Sequence, residues 1–193
     1  MVGSRTVKAL TALLISMTVG ALALMVLETA PATPRAQQLV ALAAPADGVG
    51  AVIHQTSVPL QPIKWRNLIV HSSGAEDAGI VDGCHFLVEA DGSVWPTELW
   101  KRQVSGHHVY VPGRDFNADS IGVCLMGQYT LSDPRIQKKQ FDSLVDLTRS
   151  LQRAFRMPAD RVYLRSDLDP NSLSPGDGFP AGDFNSRLLR SVR

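Results

Sequence analysis

The sequence predicts a mixed α/β domain in which one β-sheet is flanked by helices. Three observations carry this expectation. Leu68-Ile69-Val70 and Ser120-Ile121-Gly122-Val123-Cys124-Leu125 are short apolar runs of the length and composition of buried strands. Residues 84–89 alternate, turn at Asp91-Gly92 and continue in Ser93-Val94-Trp95, which is a hairpin signal. Phe141, Leu144, Val145, Thr148, Leu151 and Phe155 recur at helical spacing. Strands with helices placed among them give a mixed fold with a single layer of sheet.

The elements follow in order. Arg5 and Lys8 precede an uncharged run from Ala9 to Leu27. As a helix it spans about 28 Å, close to the hydrocarbon thickness of a bilayer. Residues 1–27 therefore read as a membrane anchor or a signal segment; Thr29-Ala30-Pro31-Ala32 offers small residues for cleavage. The basic residues ahead of the run direct the rest of the chain out of the cytoplasm. Residues 28–50, with Pro31, Pro34 and Pro45, read as an Ala- and Pro-rich linker. The folded domain takes residues 51–193. Its first part, Ala51 to Pro62, reads equally as an irregular arm or an edge strand. The long helix is expected to start at Asp133 as N-cap with Pro134 in the first helical position. Met157-Pro158 ends it. A strand at Arg161 to Leu164, a Pro- and Gly-rich loop at 167–179 and a short helix at 182–189 complete the domain.

Composition narrows the function. The 193 residues carry 19 basic and 18 acidic side chains, a net charge of +1, which excludes a nucleic-acid-wrapping protein. Two cysteines, Cys84 and Cys124, are too few for a disulfide scaffold or a four-cysteine zinc module. There is no His-Glu-x-x-His, Cys-x-x-Cys, phosphate-binding glycine loop or Gly-x-Ser-x-Gly elbow. Any chemistry must come from scattered residues, beginning with His54, His71, His85, His107 and His108. Neighbours in a strand point to opposite faces, so Cys84 and His85 cannot act as nucleophile and base. Cys84 with His71 could make a thiol–imidazole pair or a partial soft metal site, against a plain buried thiol. Trp95 and Trp100 are candidates to stack on sugar rings, or to pack the sheet edge.

Several blocks together resemble one family. Ile69-Val70-His71-Ser72-Ser73 and Gly83-Cys84-His85-Phe86-Leu87-Val88 with Asp91-Gly92-Ser93 are similar to the opening strands of type-2 N-acetylmuramoyl-L-alanine amidases. Gly106-His107-His108, followed by Asn117-Ala118-Asp119-Ser120-Ile121-Gly122-Val123-Cys124-Leu125-Met126-Gly127, resembles their most recognisable block. The similarity runs from about Trp65 to Leu189 and extends to peptidoglycan recognition proteins. It implies a cleft for peptidoglycan or muropeptide. In active members it implies zinc-dependent cleavage between muramic acid and the L-alanine of the stem peptide. It implies no nucleic-acid partner, a place in the cell envelope, and a membrane contact only through the N-terminal helix.

The departures from the family pattern shape the expectation. His71 matches the first family zinc ligand. The second and third ligand positions hold Arg165 and Ser174. A guanidinium is a permanent cation without a lone pair to donate, and a serine hydroxyl is a poor zinc ligand at neutral pH. Cys84 stands where many members have an assisting tyrosine, and Ser172 near an assisting lysine. Twelve residues separate His71 from Cys84, too few for the helix usual there, so one turn or none is expected. The sequence thus predicts recognition without hydrolysis and no cofactor. His71, His108, Asn117, Arg165 and Trp95 are the substrate-contact candidates, and His71 is the single retained metal-ligand position. Asn117 also reads as a turn residue, and Arg165 as a partner of Asp167 or Asp169. Two alternatives are an active amidase with zinc in a rebuilt site, and a structural or protein-binding module without a glycan ligand.

Overall fold

The computed structural model describes residues 48–73, 83–127, 129, 136 and 138–191. The expected anchor at 9–27, the linker up to residue 47, the segment 74–82 between His71 and Cys84, and the Asp133-Pro134 helix start lie outside these residues. Among the described residues no helix is long and apolar enough to cross a membrane.

The strands are β1 (Asn67–Ser72), β2 (Phe86–Val88), β3 (Val94–Pro96), β4 (Ser120–Leu125) and β5 (Val162–Leu164). They form one sheet in the order β3-β2-β4-β1-β5. All pairs are parallel except β2–β3, the hairpin at Asp91-Gly92. β1 and β4 are buried along their whole length. Central parallel strands covered on both faces need continuous apolar runs, which the sequence supplies. β3 is one of the two edge strands, and it carries Pro96, which cannot serve a central ladder.

The helices are α1 (Glu98–Lys101), α2 (Lys138–Phe155), α3 (Arg165–Leu168) and α4 (Ala181–Ser186). α2 carries the chain from β4 to β5. Its buried stripe, with Phe141, Leu144, Leu147 and Leu151, packs with Leu68, Val70, Phe86, Val88, Ile121, Val123 and Leu125 in the main core. Gln140 ties this helix to the strand ends, donating from Nε2 to Val88 O (2.9 Å) and Met126 O (3.0 Å).

Residues 49–54, on either side of the expected linker boundary at residue 50, form a 3-10 helix, and no edge strand occurs in 51–62. Ile53 inserts into the main core, and its carbonyl accepts from Trp100 Nε1 at 3.1 Å.

Candidate functional site

The sheet face turned away from α2 carries the candidate residues. Parallel register pairs His71 of β1 with Cys124 of β4, so their side chains leave this same face. Cys84, just ahead of β2, brings its Sγ to 3.2 Å from His71 Nε2. The donor atoms of His71, Cys84 and Cys124 lie within 4.8 Å of one another, and all three residues are 0% exposed. This is a group able to hold a metal ion, built from a residue whose thiol the sequence suggested and from Cys124, which it did not single out.

A bend at His85 separates Cys84 from β2. The Cys84 carbonyl accepts from Thr97 Oγ1 at 2.6 Å. The Gly122 N–H, which a main-chain carbonyl would take in a regular ladder, donates to His85 Nδ1 at 2.9 Å. With Nδ1 as acceptor, Nε2 carries the proton and donates to Val104 O at 2.9 Å. His85 also packs edge-on against Trp65 and Trp100. Cys84 and His85 lie outside β2, so strand alternation does not govern them; across the bend they engage different partners, His71 and the Gly122 N–H.

His108 lies over Gly122 on the candidate face, with its ring centroid 6.1 Å from that of His71 and 4.9 Å from that of His85. It is 0% exposed, and neither ring nitrogen has a hydrogen-bond partner among the described residues. Burial first, then the neighbouring His85 and His71, hold its pKa well below the ordinary histidine value, against a smaller opposing pull from the Ser120 main chain. A glycine is required beneath it: a methyl group on Gly122 would overlap the His108 ring. Gly122→Ala is expected to cost about 1–3 kcal/mol through overpacking. Urea unfolding measures this, with the His108 ring NMR signals displaced at the same time. A loss below about 0.5 kcal/mol, outside that overpacking range, would show that the ring has room to move.

Asn117 holds the loop that carries His108. Its Oδ1 accepts from His108 N (2.8 Å) and Val109 N (3.2 Å), and its Nδ2 donates to Val109 O (2.8 Å). Val109 and Phe116 of the same loop then seal Ile69 in a small second core. Asn117 thus has its amide engaged within the loop, and His71 and His108 are closed off beneath it.

Arg165 and Ser174, which the sequence resemblance sets at the other two ligand positions, lie at the same end of the sheet as His71. Val70 pairs with Leu164, so His71 and Arg165 stand level at the ends of β1 and β5. Arg165 opens α3 and is half-buried. Asp167 accepts from Leu164 N at 2.8 Å, and Asp169 from Asn171 N at 3.0 Å. Ser174 Oγ accepts from Ser72 N at 2.8 Å and lies 3.3 Å from Ser72 Oγ. An imidazole, a guanidinium and a hydroxyl that already accepts from the β1 backbone do not make a three-donor zinc set.

Trp95 is 58% exposed on the edge strand. It shares one row with Leu87, Cys124 and His71, so its ring stands on the candidate face three strands, or about 14 Å, from His71. Trp100 is 0% exposed in the main core and is no sugar platform. A hollow of about 450 Å³ lined by Ala90, Asp91, Lys138 and Lys139 contains none of these residues.

A profile of the N-acetylmuramoyl-L-alanine amidase family matches residues 45–177. No curated protein sequence matches the chain. Among solved structures, the amidase LysC from Clostridium intestinale is similar at 18% identity and a TM-score of 0.51, over 68% of this chain and 91% of that one. The amidase AmiD from E. coli, in complex with its substrate anhydro-N-acetylmuramic acid-L-Ala-D-gamma-Glu-L-Lys, is similar at 17% identity and a TM-score of 0.53, over 70% of this chain and 62% of that one. AmpDh3 from Pseudomonas aeruginosa, in complex with an anhydromuramic pentapeptide, is similar at 16% and 0.53, over 69% and 65%.

Proposed function

Because this chain belongs to the N-acetylmuramoyl-L-alanine amidase family, we propose that it recognises muropeptides or peptidoglycan in the cell envelope without hydrolysing them. What supports this reading is the set His71, Arg165 and Ser174, which the sequence resemblance puts at the family's zinc positions and which lies at one end of the sheet. A hydrolytic zinc needs about three protein donors and an open place for water. This triplet offers one donor, and that one is buried.

Arg165 takes the role of the lost cation in this reading. Its planar fork suits a stem-peptide carboxylate through two parallel hydrogen bonds. Trp95 offers a flat apolar ring on the same face for a sugar. Such a charge-assisted contact is worth about 1.5–3 kcal/mol, or roughly ten- to a hundred-fold in affinity. In calorimetric titrations Arg165→Ala is expected to lose that factor, and Arg165→Lys much of it. Chromatography of the muropeptide after long incubation should return it intact. Release of the stem peptide would establish amidase activity instead. Equal affinity across wild type and both variants would leave Arg165 out of the binding site.

A further inference from the structure

We propose that His71, Cys84, Cys124 and His108 form a closed structural zinc site on the sheet face opposite α2. The donor atoms of the first three residues lie within 4.8 Å of one another, and Cys84 Sγ is 3.2 Å from His71 Nε2. Tetrahedral zinc with bonds of about 2.0–2.1 Å to nitrogen and about 2.3 Å to sulfur sets its donors roughly 3.6–3.8 Å apart. Side-chain adjustments of under about 1 Å bring the group to that geometry.

His108 is the candidate fourth ligand. It lies outside the three-residue group, but its ring centroid is 6.1 Å from that of His71, so a turn of the ring toward the ion would bring one nitrogen into the shell. His108 Nδ1 and Nε2 and His71 Nδ1 are buried polar atoms with no hydrogen-bond partner among the described residues. A buried nitrogen without a partner is costly, and a metal bond to one nitrogen of His108 removes part of that cost.

Charge selects the ion. Zinc displaces the two thiol protons to solvent, so Zn²⁺, two thiolates and two neutral imidazoles sum to zero. A neutral cluster suits a pocket in which all four residues are 0% exposed. Copper(I) in the same set would bury a net negative charge. The closure also defines the role. With four protein donors and no open position, the ion links β1, β4, the segment ahead of β2 and the Asn117-held loop. It uses neither Arg165 nor Ser174, and it does not depend on muropeptide binding.

The test is elemental analysis of the full chain purified without chelator. One zinc per chain is expected, and its removal should lower Tm by roughly 10 °C or more. Cobalt(II) substitution should give a strong thiolate-to-metal absorption band, weakened by Cys84→Ser and by Cys124→Ser. If either variant fails to fold, the cobalt spectrum of the wild type still decides. Three outcomes overturn the site: no metal bound after zinc is added under reducing conditions, a Cys84–Cys124 disulfide in the native mass spectrum, or full metal content in the double serine variant.

Discussion

Trp100→Ala is expected to remove about 3–5 kcal/mol of stability, the usual cost of deleting a fully buried tryptophan. Trp100 is 0% exposed, and its ring lies 4.6 Å from Phe86, 5.9 Å from Phe155 and 6.1 Å from Trp65 between centroids. It joins the end of α2, the start of β2 and the segment ahead of β1 in one contact. Its Nε1 donates to Ile53 O, so truncation also leaves a buried carbonyl unpaired. A domain of this size holds about 5–15 kcal/mol in total, so the variant is expected to unfold at much lower urea. Trp100→Phe should recover most of the ring packing and lose about 1–3 kcal/mol for the missing donor. Urea denaturation of both variants measures this. A loss under about 1 kcal/mol for the alanine variant, below any buried-aromatic truncation, would mean that the cluster collapses around the gap.

The strands and the long helix were legible because they are written locally. Ser120 to Leu125 was expected as a buried strand and is β4 residue for residue. Phe141 to Phe155 formed a helical stripe in sequence and forms the buried face of α2. The hairpin followed from Asp91-Gly92. What was not legible depends on neighbours far apart in the chain. His71 and Cys124 meet only because β1 inserts beside β4, and nothing within either strand encodes that order. Cys84 reaches the same group only because the chain bends at His85. The sequence makes His108 a substrate-contact candidate, whereas in the structure it is 0% exposed. Gly122 leaves a hollow in the sheet, and Asn117 clamps the loop so that the ring fills it. A glycine inside an otherwise apolar strand was the one sequence signal for that close approach. Arg165 and Ser174 were placed by family order, and β1–β5 pairing brings them to the end of the sheet where His71 stands.

Acid is expected to destabilise the domain well before its carboxylates titrate. His85 has its pKa lowered to about 4, chiefly by burial, with Lys64 adding slightly and the hydrogen bond to Val104 opposing. The hydrogen bonds explain why the charged form has no place here. Nδ1 must stay unprotonated to accept from Gly122 N, and Nε2 already donates to Val104 O. A histidine in the unfolded chain titrates near 6.5. Between about pH 6.5 and 4 the unfolded state therefore binds a proton that the folded state does not, and stability rises with pH through this window. The contribution is complete above about 6.5 and is lost on the way down to about 4. It amounts to about 3 kcal/mol when integrated, and buried His108 adds in the same direction. Urea midpoints at pH 7 and pH 4.5, with chelator in both buffers so that metal release plays no part, should differ accordingly. The His85 ring proton should keep its neutral NMR shift down to about pH 4. His85→Gln cannot gain the proton, so its urea midpoint should depend less on pH. Equal midpoints for the wild type at the two pH values, or a His85 titration near 6.5, would show that this ring is not held neutral by the Gly122 and Val104 bonds.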